Sequence, residues 1–414
     1  MGLGPSIKMT TLHHYNCPVV KELSKYDDID FSAIIIGGIS ENYDNKVFTA
    51  KRIGDLAKIL QATGAIVAID GWGNHHIDFV TAIEELGKNN IPSVGLSFIG
   101  QQGRLVCTNQ YVDTIIDFNK GDSGYESCVV GGNNLTDYDA LKAVALLKSK
   151  LIKKKLFEND TTNCQEIKGR LTKKIFNITN VIMGESTYFD RDRLVISKNI
   201  LKKYKANKKR IKDINITIVK PGEYNIFVNS NLDFLPISCK KQGELGSGIT
   251  YELSGVRVML TGVEDISKFQ PANIGSSEGK LSEIVKMNQA GTPNVNDYII
   301  HLDFLFKQGE GRTSEGIIEA HTIADKVLNE IRLELEKIEN IPYKKEEYYD
   351  IRRKHKSKII LIKLVSGLGN MYDTMVFPNQ PGGIIGAYNL RECNNLPVVI
   401  TPNQCRDGVI HSLL

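Results

Sequence analysis

Long apolar runs are absent from this 414-residue sequence, and so is an export signal at its start. A helix that crosses a membrane needs about 20 consecutive, mostly apolar residues, and no stretch approaches that length. The first residues do not combine a charged flank with an apolar core, as a secretory signal requires. We therefore expect a cytoplasmic protein with no membrane partner.

Cysteines are few, and none of them form a closely spaced pair. Their number is odd, their spacings are wide, and no C-x-x-C pair occurs. Without an export signal, this pattern indicates reduced thiols rather than disulfides. Because structural zinc sites use closely spaced cysteines, we expect no metal site. The seven cysteines are Cys17, Cys107, Cys128, Cys164, Cys239, Cys393 and Cys405.

Sequence motifs that bind nucleotide phosphates are also missing. The pair Gly37-Gly38 is not part of a G-x-G-x-x-G motif, and no G-x-x-x-x-G-K-[ST] motif occurs. These glycine-rich loops hold phosphate through backbone N–H groups. Their absence disfavours dinucleotide and P-loop nucleotide sites, and we expect no such cofactor.

Charge is unevenly distributed along the chain, although the net value is only +4. Residues 1–147 contain 11 Lys and Arg against 17 Asp and Glu, a net charge of −6. Residues 148–414 contain 41 against 31, a net charge of +10. The composition, with 41% hydrophobic and 24% charged residues, is that of a globular protein, and the length suggests about two or three domains. The asymmetry indicates two units of different origin.

Part of the positive charge lies in one basic run, from Lys198 to Lys212. It contains eight Lys and Arg and no acidic residue. Tyr204 is its only aromatic residue and no recognition-helix motif accompanies it, so we expect no nucleic-acid partner. A solvated helix or loop is the simplest interpretation, and a module that binds an acidic partner is the alternative.

Residues 1–150 predict an α/β domain with a doubly wound, mostly parallel sheet. Short runs rich in β-branched residues alternate with stretches of helical period, and continuous apolar strands are typical of a parallel sheet covered on both faces. The predicted strands are 31–38, 65–70, 91–98 and a short edge strand at 113–118, and the predicted helices are 46–63, 77–87 and 134–150.

A candidate ligand site follows the second predicted strand. Ligands bind beyond the carboxyl ends of parallel strands, where this segment would meet Gly37-Gly38 and Ile99-Gly100-Gln101. The segment Asp70-Gly71-Trp72-Gly73-Asn74-His75-His76 contains glycines that allow close backbone approach to a ligand. In this hypothesis Asp70 orients a histidine, Asn74 belongs to the same turn, and His75 acts as an acid or base. A purely structural turn is the alternative.

The rest of the chain predicts a linker and a second, larger unit. Residues 151–170 are lysine-rich and then polar without periodicity, as in a linker. Residues 171–414 predict a β-rich part followed by an α/β part. The predicted strands are 171–181, 193–197, 215–219, 249–261, 298–306, 358–365 and 396–401, with one long amphipathic helix at 314–338.

Two adjacent histidines near the start of the chain are further candidates. His13 and His14 lie close in sequence to Cys17, and Cys–His pairs can form activated nucleophiles. Sequence proximity is a poor guide to spatial pairing, so a structural role for these histidines is the alternative.

Taken together, these stretches resemble a known family. It comprises the pyruvoyl-dependent amino-acid reductases, which include the D-proline reductase proprotein and component B of glycine, sarcosine and betaine reductases. The resemblance is strongest to the proline reductase branch, including two smaller companion proteins encoded beside the reductase. It rests on Gly4-Pro5-Ser6, Lys8, Thr10-Thr11, His13-His14, Pro18, Asp70 to Asn74, Gly275 to Gly279, Ala290 to Pro293, Gly367, Met371 to Asp373, Pro402-Asn403 and Arg406 to Gly408.

The resemblance implies an unusual order of the two pieces. In the family proprotein the larger piece precedes the smaller, and self-cleavage separates them. Here residues 1–150 resemble the smaller piece and residues 171–414 the larger. The chain is therefore interpreted as a fusion of the two companion proteins or as a permuted proprotein.

The resemblance also implies a processing position at Met1 or Gly2. In the family, a Ser or Cys attacks the preceding carbonyl and then loses its heteroatom by β-elimination, which leaves an N-terminal pyruvoyl ketone. Gly has no side chain, and the sulfur of Met is one carbon too far from the backbone for β-elimination. We therefore expect no self-processing and no pyruvoyl group on this chain.

The family cleaves a C–N bond reductively in the cytoplasm of amino-acid-fermenting anaerobes. D-proline is opened to 5-aminovalerate at the expense of a dithiol, and a separate selenocysteine-containing subunit attacks the activated carbon. The resemblance thus implies a component or companion of D-proline reductase, with that subunit or the proline reductase proprotein as partner and a small amino acid as possible ligand. An alternative is a catalytically active reductase subunit that uses a partner's carbonyl or a thiol such as Cys17 or Cys405.

Overall fold

The structure is a computed structural model, and it describes most of the chain. The described residues are 10–40, 42–69, 75–98, 100–118, 129–132, 134–158, 165–205, 208–264, 278–311, 313–365 and 396–408.

Helices and strands alternate through the first part of the chain. They are α1 (Thr11–Tyr15), α2 (Pro18–Leu23), β1 (Ile29–Gly38), α3 (Tyr43–Ile59), β2 (Gly64–Ile69), α4 (His76–Lys88), β3 (Ser93–Ser97), β4 (Ile115–Asp117) and α5 (Asp137–Lys153), with a 3₁₀ helix at Gly100–Leu105. The part that follows is mainly strands. These elements are β5 (Gln165–Asn177), β6 (Asn180–Gly184), β7 (Tyr188–Asp190), β8 (Arg193–Ser197), α6 (Lys202–Lys205), β9 (Ile211–Val219), β10 (Phe227–Val228), β11 (Ser230–Leu235), β12 (Ser238–Gln242), β13 (Gly248–Ser254), β14 (Val256–Glu264), β15 (Gly279–Lys280), α7 (Leu281–Ile284), β16 (Tyr298–Phe306), α8 (Ser314–Glu336), β17 (Lys344–Arg353), β18 (Ser357–Val365), β19 (Val398–Ile400) and α9 (Pro402–Arg406).

The largest sheet confirms the predicted α/β architecture. Among the described residues it has six strands in the order β19-β1-β18-β2-β3-β4, and only β19 pairs antiparallel to its neighbour. Successive side chains of β1 point to opposite faces, so Ile34 packs against α2 and α5 while Ile35 packs against α3 and α4. Both faces are covered by helices, which makes the sheet doubly wound and mostly parallel.

One strand of this sheet comes from far along the chain. β18 lies between β1 and β2 and is parallel to both. Alternate side chains of β18, such as Leu361 and Ile362, are buried on the two faces of the sheet. An apolar strand of this kind is stable only in the middle of a covered sheet. This sheet therefore extends across the predicted boundary at residue 150, because residues 357–400 contribute two of its strands.

The predicted linker is shorter than 151–170. Helix α5 continues to Lys153, and β5 begins at Gln165. Residues 165–170 pair with β17, so they belong to a strand rather than a linker. Residues 159–164 lie outside the described part of the chain.

The larger unit is β-rich, as predicted, but two predicted strands each cover parts of two: 171–181 covers parts of β5 and β6, and 249–261 covers parts of β13 and β14. The stretch 249–261 is divided between β13 and β14 at Gly255, which has a φ of +76°. A Cβ atom at Gly255 would lie 2.1 Å from the carbonyl oxygen of Ile178, so only glycine fits. The chain changes sheet there, from the order β12-β13-β5-β17 to the order β11-β14-β16-β9.

The long amphipathic helix is confirmed as α8. Its apolar face, which includes Ala324, Leu328 and Ile331, belongs to the core that also contains Leu302 and Phe304 of β16. Among the described residues, no helix is long and apolar enough to cross a membrane.

Candidate active site

Helix α1 carries the histidine pair and is held at both sides. Thr10 is its N-cap, with a hydroxyl that accepts from the His13 N–H group and donates to the Gly291 carbonyl at 2.6 Å. Asp233 of β11 accepts from the backbone N–H and the hydroxyl of Thr11 at 2.9 and 2.8 Å. These contacts fix the direction in which His13 and His14 point.

His13 and His14 line a small buried cavity with Lys363 of β18. The cavity has a volume of about 20 Å³ and is also lined by Cys17 and Leu135. The amine of Lys363 lies 3.2 Å from Nδ1 of His14. Both ring nitrogens of His13 and Nε2 of His14 are buried without a hydrogen-bond partner in the described part of the protein. The cavity therefore offers polar atoms for a water molecule or for one polar group of a ligand.

The two imidazoles of this cavity are neutral near neutral pH. Burial lowers the pKa of His13 to about 3, and the positive charge of Lys363 adds to that effect. Burial, with Lys363 and His13, also holds the pKa of His14 well below its usual value. Neutral imidazoles can accept a proton or hydrogen bond from a ligand, but they do not supply a positive charge to it.

The thiol of Cys17 lines this cavity, and a thiol from a distant part of the sequence, that of Cys405, contacts His14. Cys17 is the N-cap of α2, and Cys405 lies in α9. The thiol of Cys405 donates to the carbonyl oxygen of His14 at 3.3 Å. Both cysteines are buried and belong to the same core cluster. The sequence suggested each thiol singly, and the fold brings them to one place.

An open cleft of about 1370 Å³ adjoins the cavity, and Cys17 and Leu135 line both. On its wall, Lys173 of β5 donates to the hydroxyl of Tyr15 at 2.6 Å and to the Arg406 carbonyl at 3.0 Å. Glu252 is 2.6 Å from the same amine. Sequence reasoning missed this cleft, because its wall combines residues of α1, β5, β13 and α9 and has no local motif.

The stretch Arg406-Asp407-Gly408 anchors α9 beside the histidine pair. Asp407 is fully buried and accepts from Lys240 at 2.7 Å and from the Gly246 N–H group at 2.6 Å. It also accepts from the hydroxyl of Thr250. These bonds join the end of α9 to β12 and β13, and so place Cys405 against α1.

His75 belongs to a second polar cluster, on the face of the sheet covered by α3 and α4. It precedes α4, whose Asp78 forms a buried ion pair with Lys46 of α3 at 2.5 Å. Burial raises the pKa of Asp78 to about 6, while Lys46 and His75 oppose that rise. His75 therefore lies beside a carboxyl that titrates near neutral pH. Asp70 and Asn74 lie outside the described residues, as do Met1 and Gly2.

Described residues that follow β1 and β3 lie near this cluster. The N–H group of Ser40, after β1, donates to Asp78 at 3.4 Å. Gly103, after β3, packs so closely on His76 that a Cβ atom would lie 2.3 Å from the ring. In the described ranges, no group of three or more His, Cys, Asp or Glu side chains is arranged to hold a metal ion.

The basic run is largely paired with acidic residues of the same chain. Arg210 lies 2.6 Å from Glu310, and Lys203 lies 2.6 Å from Glu330. Lys198, Lys205 and Lys208 also form ion pairs, with Glu185 or Asp213. This pairing leaves less free positive charge for an acidic partner.

Comparison with known proteins identifies the family. A sequence model described as glycine/sarcosine/betaine reductase component B subunits matches residues 3–116 and 169–278, together more than half of the chain. The chain belongs to this family. Family membership confirms the resemblance seen in the sequence, although the stretches from Ala290 onwards lie outside the ranges that this model matches.

Two curated relatives show how much of the family's proteins this chain covers. It is 31% identical over 245 residues to the D-proline reductase proprotein PrdA of Acetoanaerobium sticklandii, which is 59% of this chain and 39% of that protein. It is 33% identical over 94 residues to the betaine reductase complex component B subunit alpha of Peptoclostridium acidaminophilum, which is 22% of this chain and 21% of that protein. The chain thus matches well under half the length of either relative. No solved structure matches it.

Proposed function

We propose that this chain is a component or companion of a D-proline reductase complex in the cytoplasm, where D-proline is opened reductively to 5-aminovalerate with a dithiol as donor. The observation that carries the proposal is the cavity between α1 and β18. It places His13 and His14, from a stretch similar to the family's, against the amine of Lys363. The likeness to the D-proline reductase proprotein supports the substrate class.

In this proposal the amino acid binds in the cleft rather than in the cavity. A volume of about 20 Å³ is enough for a water molecule or one polar group, whereas the cleft of about 1370 Å³ holds a whole amino acid with room to spare. One polar group of the bound amino acid would enter the cavity, where it would meet the neutral rings of His13 and His14 and the amine of Lys363. The spare volume would admit a segment of the selenocysteine-containing subunit or of the proline reductase proprotein.

A pyruvoyl group does not fit the residues at the matching position. Its formation needs an oxygen or sulfur on the β-carbon, and Met1 and Gly2 have none. We propose that this chain carries no pyruvoyl group and that the partner proprotein supplies the reactive carbonyl. Treatment with a hydrazide followed by mass spectrometry of the purified chain tests this. A carbonyl-reactive N-terminus would contradict it.

Reconstitution with purified proteins tests the companion role. The chain, the selenocysteine-containing subunit, D-proline and dithiothreitol are mixed with and without the proline reductase proprotein, and 5-aminovalerate is measured. We expect no product without the proprotein, and more product when the chain accompanies the proprotein than when the proprotein acts alone. Product without the proprotein would overturn the companion role. No effect in either mixture would overturn membership of the complex.

Matched variants test whether the cavity contributes to this stimulation. His14→Asn and Lys363→Met remove groups of the cavity, whereas His355→Asn and Lys356→Met change the turn before β18, at the opposite end of that strand from Lys363. We expect the first two variants to reduce the stimulation several-fold and the other two to leave it unchanged. Equal effects from both pairs would show that the cavity has no part in the stimulation.

A catalytically active reductase subunit is the second candidate. It is favoured by the Cys17 thiol, which lines both the cleft and the cavity that holds Lys363 and the two neutral imidazoles, and by the Cys405 thiol against His14. The reconstitution separates the two candidates, because only an active subunit forms 5-aminovalerate without the proprotein.

A further inference from the structure

Cys17 and Cys405 are candidates for chemistry that neither thiol could perform alone. They lie near opposite ends of the sequence, and the fold buries them in one core cluster. His14 connects them, because the thiol of Cys405 donates to its carbonyl oxygen and Cys17 follows it by three residues. Both thiols act on the pKa of Arg406, and Cys17 adds to the rise in the pKa of Cys405.

The two positions differ in their access to a reagent. Cys17 lines both the buried cavity and the open cleft, so a thiol or disulfide in the cleft can reach it. Cys405 lines neither of them, and both thiols are otherwise buried. This is the arrangement of an attacking thiol and a resolving thiol, in which only the first meets the external reagent.

Two positively charged side chains act on the thiol of Cys405. Burial raises the pKa of Cys405, and Lys363 and Arg406 act in the opposite direction because they stabilise its thiolate. Cys239 is also buried, and burial raises its pKa to about 12, with Glu336 adding to the rise and Arg332 and Lys241 opposing it. Cys239 lines neither the cavity nor the cleft, so it is a control within the same chain for a buried thiol that no reagent in the cleft reaches.

We propose that Cys17 and Cys405 form a redox-active dithiol that exchanges with a disulfide bound in the cleft. The thiolate of Cys17 attacks one sulfur of the external disulfide, forms a mixed disulfide and expels the first external thiolate. The thiolate of Cys405 then attacks the sulfur of Cys17 and expels the second. The two cysteines lose two electrons and two protons in total, and the external disulfide becomes two thiols. Thiol–disulfide exchange here is independent of any role in D-proline reduction.

Peptide mapping of the unsubstituted chain tests this directly. The purified protein is equilibrated in mixtures of reduced and oxidised glutathione, quenched in acid, alkylated and digested. We expect a peptide pair joined through Cys17 and Cys405 that increases with the oxidised fraction and is lost after dithiothreitol. If both cysteines remain free to alkylate in the most oxidising mixture, or if they join other cysteines instead, the proposal is wrong.

Variants identify the attacking thiol. Cys405→Ala should trap glutathione as a mixed disulfide on Cys17, whereas Cys17→Ala should leave Cys405 unmodified. Cys239→Ser and Cys107→Ser should retain the Cys17–Cys405 link. Glutathione on Cys405 in the Cys17→Ala variant would reverse the assignment and overturn the proposed access from the cleft. Circular dichroism of each variant shows that it is folded, and the mapping of the unsubstituted chain decides the matter where a variant is not.

Discussion

Asp78 shows how the surroundings of a single side chain can move its pKa towards neutral pH. Its carboxyl is 3% exposed and forms an ion pair with Lys46, which is also buried. Burial disfavours the charged carboxylate more strongly than Lys46 favours it, so the pKa rises from 3.8 to about 6. The acid beside His75 therefore changes charge within the range in which many enzymes work.

Asp78→Asn should change the pH dependence of stability in a defined direction. Because the folded pKa is raised, the contribution of Asp78 to stability is full below pH 3.8 and is lost as the pH rises to about 6. The free energy of unfolding of the unsubstituted protein, relative to Asp78→Asn, should therefore fall by about 3 kcal/mol over that range. Urea unfolding of both proteins at several pH values measures it.

An exposed carboxylate provides the control for this titration. Asp55 is 61% exposed and lies 3.7 Å from Arg52, so Asp55→Asn should show no comparable dependence. The opposite result would be a free energy of unfolding that rises with pH in the unsubstituted protein, relative to Asp78→Asn. That would mean that Lys46 lowers the pKa of Asp78 more than burial raises it.

Close packing of α4 on β3 sets the position of the second polar cluster. Phe79 is fully buried and its ring fills the space beside Gly95, where a Cβ atom would lie 2.4 Å from the ring. The same helix carries His76 and Asp78, so its distance from the sheet determines where the Lys46–Asp78 pair lies. Because Gly95 has no side chain, helix α4 can pack closely against β3.

Gly95→Ala should destabilise the protein by about 1–3 kcal/mol, because the added methyl group overlaps a ring that is already packed. Chemical unfolding measures the loss. Gly169→Ala is a matched control in β5, where the nearest side-chain atom, of Asp350, would be 3.5 Å from the new Cβ. We expect the control to be close to neutral. Equal losses for the two variants would show that the contact with Phe79 is not the cause.

Strand β18 brings a late part of the chain into the sheet and the cavity that the first part of the chain begins. It separates β1 from β2, and its Lys363 completes the cavity with α1. The C-terminal α9 adds Cys405 and is anchored through Asp407 to β12 and β13. Neither the sheet nor the candidate active site can therefore be assembled from one half of the chain.

A fragment of residues 1–158 should not form the stable sheet alone. Without β18, the facing edges of β1 and β2 lose their backbone partners and the helices lose apolar surface to cover. Nuclear magnetic resonance of the fragment, alone and mixed with residues 159–414, measures this. We expect dispersed signals only in the mixture. A well-dispersed spectrum of the isolated fragment would contradict the role given to β18.

Prediction from the sequence was most successful where the signal is local. The helical period of 46–63 and the apolar runs at 298–306 and 358–365 correspond to α3, β16 and β18, because side-chain burial follows the local repeat. The predicted sheet was correct in class. The site was harder to predict. His13 and His14 were named, whereas Lys363, Asp78 and Lys46 were not. A lysine inside the apolar run 358–365 was a signal that the prediction did not use, but Asp78 and Lys46 lie in helices with many other charged residues. The reversed order of the two pieces and the absence of a pyruvoyl group stay predictions.

The sequence alone determined the elements, the α/β class and the family resemblance, because these depend on periodicity, composition and motifs that each stretch carries within itself. The tertiary structure decided which strand lies between β1 and β2, and which side chains meet around α1. It brought Cys17 and Cys405 into one core cluster and Lys363 against His14, across most of the chain's length. The physical reason is that strand order and buried contacts are chosen by the packing of all apolar faces together, which no single stretch records.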